Sequence, residues 1–302
     1  MSKSLDAEKV FKKANNYLEE NNFKSALKTY SESIQDFKEA GEMQPVAQFL
    51  SCMGYIYFEQ NEFDEALKYF NKAYVIAKKI KDECGMGHVL SHSSKVYWKI
   101  GDYDNHIKFL KKSLLSYESA NNKHFAGFIN GLLCRAYRLT GNLEESMICS
   151  KRGLSLVEEI DDKDNMPFAL MEVGVEYFYK KEYQKSEIYS TKSLSAIKEN
   201  NKSDKHSTLL ILIYLNLALK KQNKKYDIKK IISLLKNISI KPIIFSFALY
   251  DLLNEKSYLK SSYDSIQEHL DIMKDDNKGK YLTYPIPKQI IEEYNKVFNI
   301  IS

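Results

Sequence analysis

The sequence predicts an all-α fold, an α-solenoid of stacked helix-turn-helix hairpins. Three observations predict it: a repeat of forty residues, helical spacing of apolar residues inside each repeat, and a shortage of helix breakers. The 302 residues include 11 Gly and 5 Pro against 22 Tyr and 15 Phe, which favours long helices over a turn-rich β fold. Hydrophobic residues at 44% and charged residues at 28% exclude wholesale disorder.

The repeat is clearest in aromatic and small residues that recur at a step of forty. The aromatic register is Tyr17, Tyr57, Tyr97, Tyr137 and Tyr177. The small register is Ala14, Gly54, Ser94, Cys134 and Gly174. Because one hairpin cannot bury its apolar face alone, we expect neighbouring hairpins to stack.

Each repeat is expected to contain two helices and a tight polar turn. Leu50, Met53, Gly54 and Tyr57 lie at i, i+3, i+4 and i+7, on one face of a first helix. Small residues let the two helices of a hairpin approach closely. Carboxylates cap helix N-termini, and Asp64 is expected to cap a second helix in this way, as is Asp104 in the next repeat.

The forty-residue register predicts five regular repeats over residues 5–200. Residues 201–302 are expected to continue the array as two degenerate hairpins and a capping helix. The seventh hairpin is predicted to begin near Pro242, and the last helix is predicted over about 288–300, at the open end of the stack.

Several of these residues resemble the tetratricopeptide repeat pattern. The second unit carries Leu50, Met53, Gly54, Tyr57, Ala66 and Phe70, and the fifth carries Leu170, Val173, Gly174, Tyr177 and Ser186. The repeat step is forty residues, whereas the usual tetratricopeptide repeat has about 34 residues, and the terminal Pro is missing. Units of this length are similar to those of kinesin light chains, LGN-type scaffolds and Rap-type peptide receptors. The resemblance implies a right-handed α-solenoid that binds proteins or peptides without catalysis.

The composition and motifs indicate a cytoplasmic protein that is not an enzyme. The charged N-terminus does not resemble a signal peptide, no apolar stretch is long enough for a membrane helix, and the four cysteines form no C-x-x-C pair. No hydrolase, metalloprotease, phosphate-loop or dinucleotide motif occurs, so no cofactor is expected.

Two features leave other interpretations open. His88 and His92 lie four residues apart, a spacing that can chelate a metal, and His106 could come near; no third ligand is evident, however, and a histidine pair at the surface or in the groove is the simpler interpretation. The lysine run from Lys220 to Lys230 could meet an acidic protein surface, phospholipid or nucleic acid, although a solvated turn is the simpler interpretation. The net charge of +5 resides in the last third of the chain.

By resemblance, the first helices line a concave binding surface, and the exposed stripe on them combines aromatic and cationic residues, which are common binding anchors. The residues assigned to partner binding are Tyr55, Phe58, Lys95, Trp98, Lys99, Phe128, Arg135, Arg138, Met171, Phe178 and Tyr179. They favour an adaptor that binds an acidic or amphipathic peptide segment. The alternative is a regulatory receptor for a short signalling peptide, although the first helix begins too early to leave room for the N-terminal effector region of Rap-type receptors.

Overall fold

The computed structural model describes residues 6–200, 205–236, 238 and 243–299. All regular structure in these residues is α-helical, which confirms the predicted fold class. The first ten helices are α1 (Ala7–Glu19), α2 (Phe23–Glu39), α3 (Met43–Glu59), α4 (Phe63–Lys79), α5 (Glu83–Lys99), α6 (Tyr103–Ser119), α7 (Lys123–Leu139), α8 (Leu143–Glu159), α9 (Met166–Tyr179) and α10 (Tyr183–Glu199). Odd-numbered members are the first helices of five hairpins, and even-numbered members are the second helices.

The turns between these helices repeat with the sequence register. One residue in left-handed conformation follows each helix from α1 to α9, at Asn21, Gly41, Asn61, Lys81, Gly101, Asn121, Gly141, Asp161 and Lys181. At Asn61 the backbone N–H donates to the Phe58 carbonyl at 3.0 Å, and the Glu62 N–H donates to the Tyr57 carbonyl at 2.9 Å. This pattern satisfies carbonyls that the helix end would leave unpaired, and it suits Asn and Gly.

The predicted caps at Asp64 and Asp104 were wrong. Helix α4 begins at Phe63 and α6 begins at Tyr103, so both carboxylates lie inside the first turn. In that position a negative charge still favours the helix through the helix dipole. A side chain that does cap is Asn22, whose carbonyl oxygen accepts from the Ser25 N–H at 3.1 Å.

The small residues of the repeat lie where paired helices approach most closely. A Cβ atom added at Gly54 would lie 2.7 Å from the Phe70 ring. In the fourth hairpin, the Ser146 hydroxyl donates to the Cys134 carbonyl at 2.6 Å across the two helices. The role that the sequence assigned to the small register is therefore confirmed.

The described chain divides into two compact units, each with its own core. Unit 1 comprises residues 6–98 and 104–122, and unit 2 comprises 99–103 and 123–299. The core of unit 1 contains the buried rings Tyr30, Phe37, Phe49 and Phe70. A core of unit 2 gathers around the apolar helix that follows α10, with Leu209, Ile213 and Leu217 inside.

The described residues after α10 form six helices: α11 (Lys205–Lys221), α12 (Lys229–Leu235), α13 (Ile243–Leu253), α14 (Lys256–Ile272), α15 (Asp275–Thr283) and α16 (Pro285–Val297). Helices α13 and α14 pack together as the predicted degenerate hairpin, while Pro242 lies outside the described residues. Helix α16 begins at Pro285, which suits a first-turn position, and packs on α14 through Tyr294 and Tyr263, with ring centroids 3.9 Å apart.

A C-terminal return segment, residues 269–285, packs on two early turns of unit 2. The Tyr103 hydroxyl lies 2.8 Å from Nε2 of His269, and the Asn277 side chain donates to the Ile100 carbonyl at 2.8 Å. Gly101, at φ +77°, leaves room for the side chain of Met273. No periodicity in the sequence predicted this segment.

Candidate partner-binding faces

The residues assigned to partner binding lie on the first helices α3, α5, α7 and α9, and they are divided between the two units. Unit 1 contains Tyr55, Phe58, Lys95 and Trp98, and unit 2 contains Lys99, Phe128, Arg135, Arg138, Met171, Phe178 and Tyr179.

In unit 1, an accessible cluster forms around Tyr55, which is 38% exposed. Its ring centroid lies 5.9 Å from that of Phe58, and Nζ of Lys95 lies 5.6 Å from the Tyr55 centroid. Burial raises the pKa of Tyr55, with a further contribution from Glu59, so the hydroxyl is uncharged at neutral pH. The cluster therefore offers an aromatic surface beside a cation.

Two predicted residues lie in more enclosed positions. Trp98 is half-buried, with its ring 5.0 Å from that of His106, which is itself buried and bonded through Nδ1 to the Ser94 carbonyl at 2.7 Å. Lys99 is half-buried in unit 2. Burial, with a smaller contribution from the charge of Lys99, lowers the pKa of His269 to about 4.

A cavity of about 370 Å³ lies between the first helices α3 and α5 of unit 1. Its walls include His88 and His92, the pair with metal-chelating spacing. Nδ1 of His88 lies 2.8 Å from the Tyr117 hydroxyl, and Nδ1 of His92 lies 3.3 Å from the Ser51 hydroxyl. The two imidazoles therefore bond to different protein groups rather than converging on one point with His106.

In unit 2, α7 carries an exposed ring and an accessible cation. Phe128 is 52% exposed, and the guanidinium carbon of Arg135 lies 4.6 Å from the Phe168 ring centroid. Nε of Arg135 donates to Glu172 at 2.7 Å, while its terminal nitrogens have no hydrogen-bond partner within the described residues. A narrow cavity of about 60 Å³ opens beside Phe128 where the helix has only Gly131.

Arg138 is buried, so the expectation that it belongs to the exposed stripe was wrong. It is 5% exposed, and its guanidinium donates to Glu172 at 2.8 Å and lies 3.2 Å from an oxygen of Glu176. Burial opposes ionisation of Glu172, but the charges of Arg135 and Arg138 outweigh it and hold the pKa of Glu172 below its ordinary value. Burial raises the pKa of Glu176, and the charge of Arg138 offsets only part of that effect.

Cys134, Glu172 and Glu176 form the one group of metal-ligand type in the described part of the chain. The Cys134 sulfur lies 3.1 Å from a Glu176 oxygen, and burial raises the pKa of the thiol well above its ordinary value. Because Arg138 already supplies a cation to both carboxylates, these residues form a charge-balanced internal network. Sequence reasoning missed it, although two carboxylates four apart on an otherwise apolar helix were a usable signal.

The remaining predicted residues of α9 take part in packing. Met171 is 4% exposed and belongs to the unit 2 core, so its expected exposure was wrong. Phe178 is half-buried against Tyr214, at a centroid distance of 5.5 Å, and the Tyr179 hydroxyl lies 3.5 Å from the Tyr214 hydroxyl. Helix α9 is apolar on several sides because other helices cover it.

Half of the lysine run is engaged inside unit 2. Lys220 donates to the Leu252 carbonyl at 3.2 Å, Lys221 lies 2.9 Å from the Asp251 carboxylate, and Lys224 lies 2.6 Å from Glu187. All six lysines except the half-buried Lys220 are exposed. Three of the six cations are therefore engaged with acceptors of unit 2, and Lys221 and Lys224 are paired with carboxylates at its surface.

Comparison with known proteins agrees with the repeat architecture. Residues 47–80 match the tetratricopeptide repeat family. The fold is similar to that of RapI in its apo form, with a TM-score of 0.63 at 14% identity, over 97% of this chain and 100% of that chain. It is also similar to aspartyl phosphate phosphatase F from Bacillus subtilis (TM-score 0.61, 14% identity, 97% of this chain and 70% of that chain).

A further similar structure is BtubC (BKLC) from P. vanneervenii, with a TM-score of 0.60 at 12% identity, over 73% of this chain and 94% of that chain. At these identities the likeness is one of fold. No curated protein matches the sequence significantly. Within the described residues, no helix combines the length and apolar character needed to cross a bilayer.

Proposed function

We propose that this chain, which matches the tetratricopeptide repeat family over residues 47–80 and is similar in fold to RapI, is a non-enzymatic interaction module that binds a peptide segment of a partner protein on its first helices. The observation that carries the proposal lies on α7. There, Phe128 is 52% exposed, and Arg135 has terminal nitrogens without a protein partner in the described chain. An exposed ring and an available guanidinium are the groups from which binding hot spots are built.

The burial of the predicted residues reduces the set that can contact a partner. Phe128 and Arg135 in unit 2, and Tyr55, Phe58 and Lys95 in unit 1, are accessible enough to contact a partner. A guanidinium that lies flat on an aromatic ring can still bind a carboxylate through its outer edge. We therefore assign contacts within unit 2 to Phe128 and Arg135, contacts within unit 1 to the other three residues, and a structural role to Arg138 and Met171.

A cytoplasmic location accompanies this proposal. All four cysteines are free thiols, two of them buried and two half-buried, as in proteins of a reducing compartment.

The second candidate is a regulatory receptor for a short signalling peptide, similar to Rap-type receptors. The likeness to RapI over the full length of that chain favours it. The two candidates differ in the consequence of binding: a receptor changes its affinity for a third protein when a free peptide binds, whereas an adaptor does not.

Selection from a phage library of random dodecapeptides on the immobilised full chain tests the proposal. We expect enriched peptides that bind wild type and lose binding to Phe128→Glu. The matched control is Ile148→Glu, which places the same charge at a 60% exposed apolar residue on the second helix α8. Failure to enrich any peptide, or equal binding to both variants, would overturn the proposal.

A further inference from the structure

The cavity of unit 1 is large enough for an aromatic ring. Its volume of about 370 Å³ exceeds the roughly 150 Å³ of an engineered cavity that binds benzene. It also falls at the lower end of ligand-site volumes. The space exists because the facing walls present short side chains, Ala47, Ala77 and Gly85 among them.

The cavity walls offer an occupant no positive charge. The one carboxylate on the wall is Asp82, which accepts from the Gly85 N–H at 2.8 Å and from the Gln44 amide at 3.4 Å. Burial lowers the pKa of His88, and it lowers the pKa of His92 to about 4, so both imidazoles are neutral at neutral pH. An anionic group entering here would lose its hydration without gaining a counter-ion.

One polar atom of the wall, Nε2 of His92, has no hydrogen-bond partner within the described residues. The Ser51 hydroxyl lies 3.3 Å from Nδ1 of His92 and contacts no other acceptor in the described residues. In the tautomer in which this hydroxyl donates to Nδ1, the neutral ring carries its proton on Nε2. The rings of Tyr55 and Phe70, with centroids 5.7 and 5.6 Å from that of His92, hold the imidazole in place.

We propose that this cavity binds the phenol side chain of a tyrosine in the partner segment, whose oxygen accepts a hydrogen bond from Nε2–H of His92. That this phenol belongs to a peptide rests on the proposed function. A phenol combines an apolar ring with an acceptor oxygen and carries no charge. Phenylalanine lacks the acceptor, the indole N–H only donates, and a phosphorylated tyrosine would bring uncompensated charge into the cavity.

Calorimetric titration of the full chain with three small probes tests the cavity itself. The probes are p-cresol, toluene and 4-methylphenyl phosphate. We expect p-cresol to bind about tenfold more tightly than either other probe, because only it satisfies both the apolar wall and the donor. Equal affinities for the three probes, or no binding of p-cresol, would overturn the proposal.

Three variants distinguish the contribution of the His92 hydrogen bond from that of the cavity volume. Ala47→Phe fills the cavity and should lose all binding, while Val75→Phe, at a 57% exposed position on α4, is the control for the added ring. His92→Phe should bind p-cresol and toluene equally. If Ala47→Phe does not fold, as judged by circular dichroism, His92→Phe alone decides. An unchanged preference for p-cresol in His92→Phe contradicts the assignment.

The peptide library distinguishes failure of this inference from failure of the proposed function. Peptides selected on wild type should share a tyrosine, and those selected on His92→Phe should not. If peptides are enriched without a shared tyrosine, the proposed function holds and this inference is wrong. If no peptide is enriched, the proposed function is wrong. The assignment of a peptide tyrosine as the occupant of the cavity is then wrong as well.

Discussion

The guanidinium of Arg138 donates to the carboxylate of Glu172 at 2.8 Å inside unit 2, with both side chains almost fully buried. The second oxygen of Glu172 accepts from Arg135 at 2.7 Å, and Glu176 lies on the other side of Arg138. Two cations and two carboxylates from α7 and α9 thus balance one another within the helical core. This network joins helix α7 to helix α9 inside unit 2.

Removal of the buried cation should destabilise the protein strongly. Arg138→Met leaves two buried carboxylates without their shared partner, and loss of one member of a buried ion pair typically costs about 3–5 kcal/mol. Arg135→Met is the matched control, since the Arg135 side chain is 39% exposed and the loss should be smaller. Urea unfolding followed by circular dichroism measures both, and equal losses would contradict the assigned role of Arg138.

The two carboxylates of the network should affect stability in opposite directions with pH. The pKa of Glu172 is lowered in the fold, so its stabilisation is present above the unfolded value of about 4.3 and is lost as pH falls through the folded pKa. The pKa of Glu176 is raised, so stability declines as pH rises from that unfolded value to the folded pKa.

Relative to wild type, Glu172→Gln should therefore be least stable near neutral pH and recover under acid conditions. Glu176→Gln should gain stability relative to wild type as pH rises. Urea unfolding at a series of pH values distinguishes the two, and parallel profiles for the variants would refute the opposite roles assigned to these carboxylates.

The small register should tolerate no added methyl group at its tightest contact. Gly54→Ala places a Cβ 2.7 Å from the Phe70 ring, and overpacking of this kind costs about 1–3 kcal/mol. Gly279→Ala, in α15, meets nothing within 4 Å and should stabilise the helix by up to about 1 kcal/mol. Thermal unfolding should shift in opposite directions for the two variants; a shift in the same direction would count against the packing described for the second hairpin.

The hydrogen bond between Tyr103 and His269 should help to hold the C-terminal return segment. Tyr103→Phe removes it and should cost about 0.5–1.5 kcal/mol. Tyr281→Phe is the control, because the Tyr281 hydroxyl has no hydrogen-bond partner in the described residues although its ring stacks on Tyr103 at 5.8 Å. Amide hydrogen exchange of residues 269–285 should speed up in Tyr103→Phe only. Equal protection in both variants would show that this hydrogen bond does not hold the segment in place.

The helical array was predictable because its signals are local. The tyrosine and small-residue registers repeat at a fixed step, and the polar residues between helices suit the left-handed position that ends each one, as at Asn61 and Gly101. The return segment was not predictable because its contacts, such as His269 with Tyr103, join residues that are distant in sequence and follow no period.

The faces of the first helices were only partly predictable. Helical periodicity places Phe128, Arg135 and Arg138 on one side of α7, and the exposure of Phe128 agrees with it. Periodicity does not reveal which of the two arginines will be buried by pairing with carboxylates of another helix. That outcome depends on Glu172 and Glu176, whose side chains meet Arg138 only in the folded structure.

Calorimetric titration of a library-selected peptide into Phe128→Glu and Ile148→Glu tests the central claim most directly. Both variants place one carboxylate at an exposed apolar position of unit 2, one on a first helix and one on a second helix. We predict that Phe128→Glu weakens binding by about tenfold or more while Ile148→Glu matches wild type. Undiminished affinity in Phe128→Glu, or a larger loss in Ile148→Glu, would contradict a binding site on the first helices.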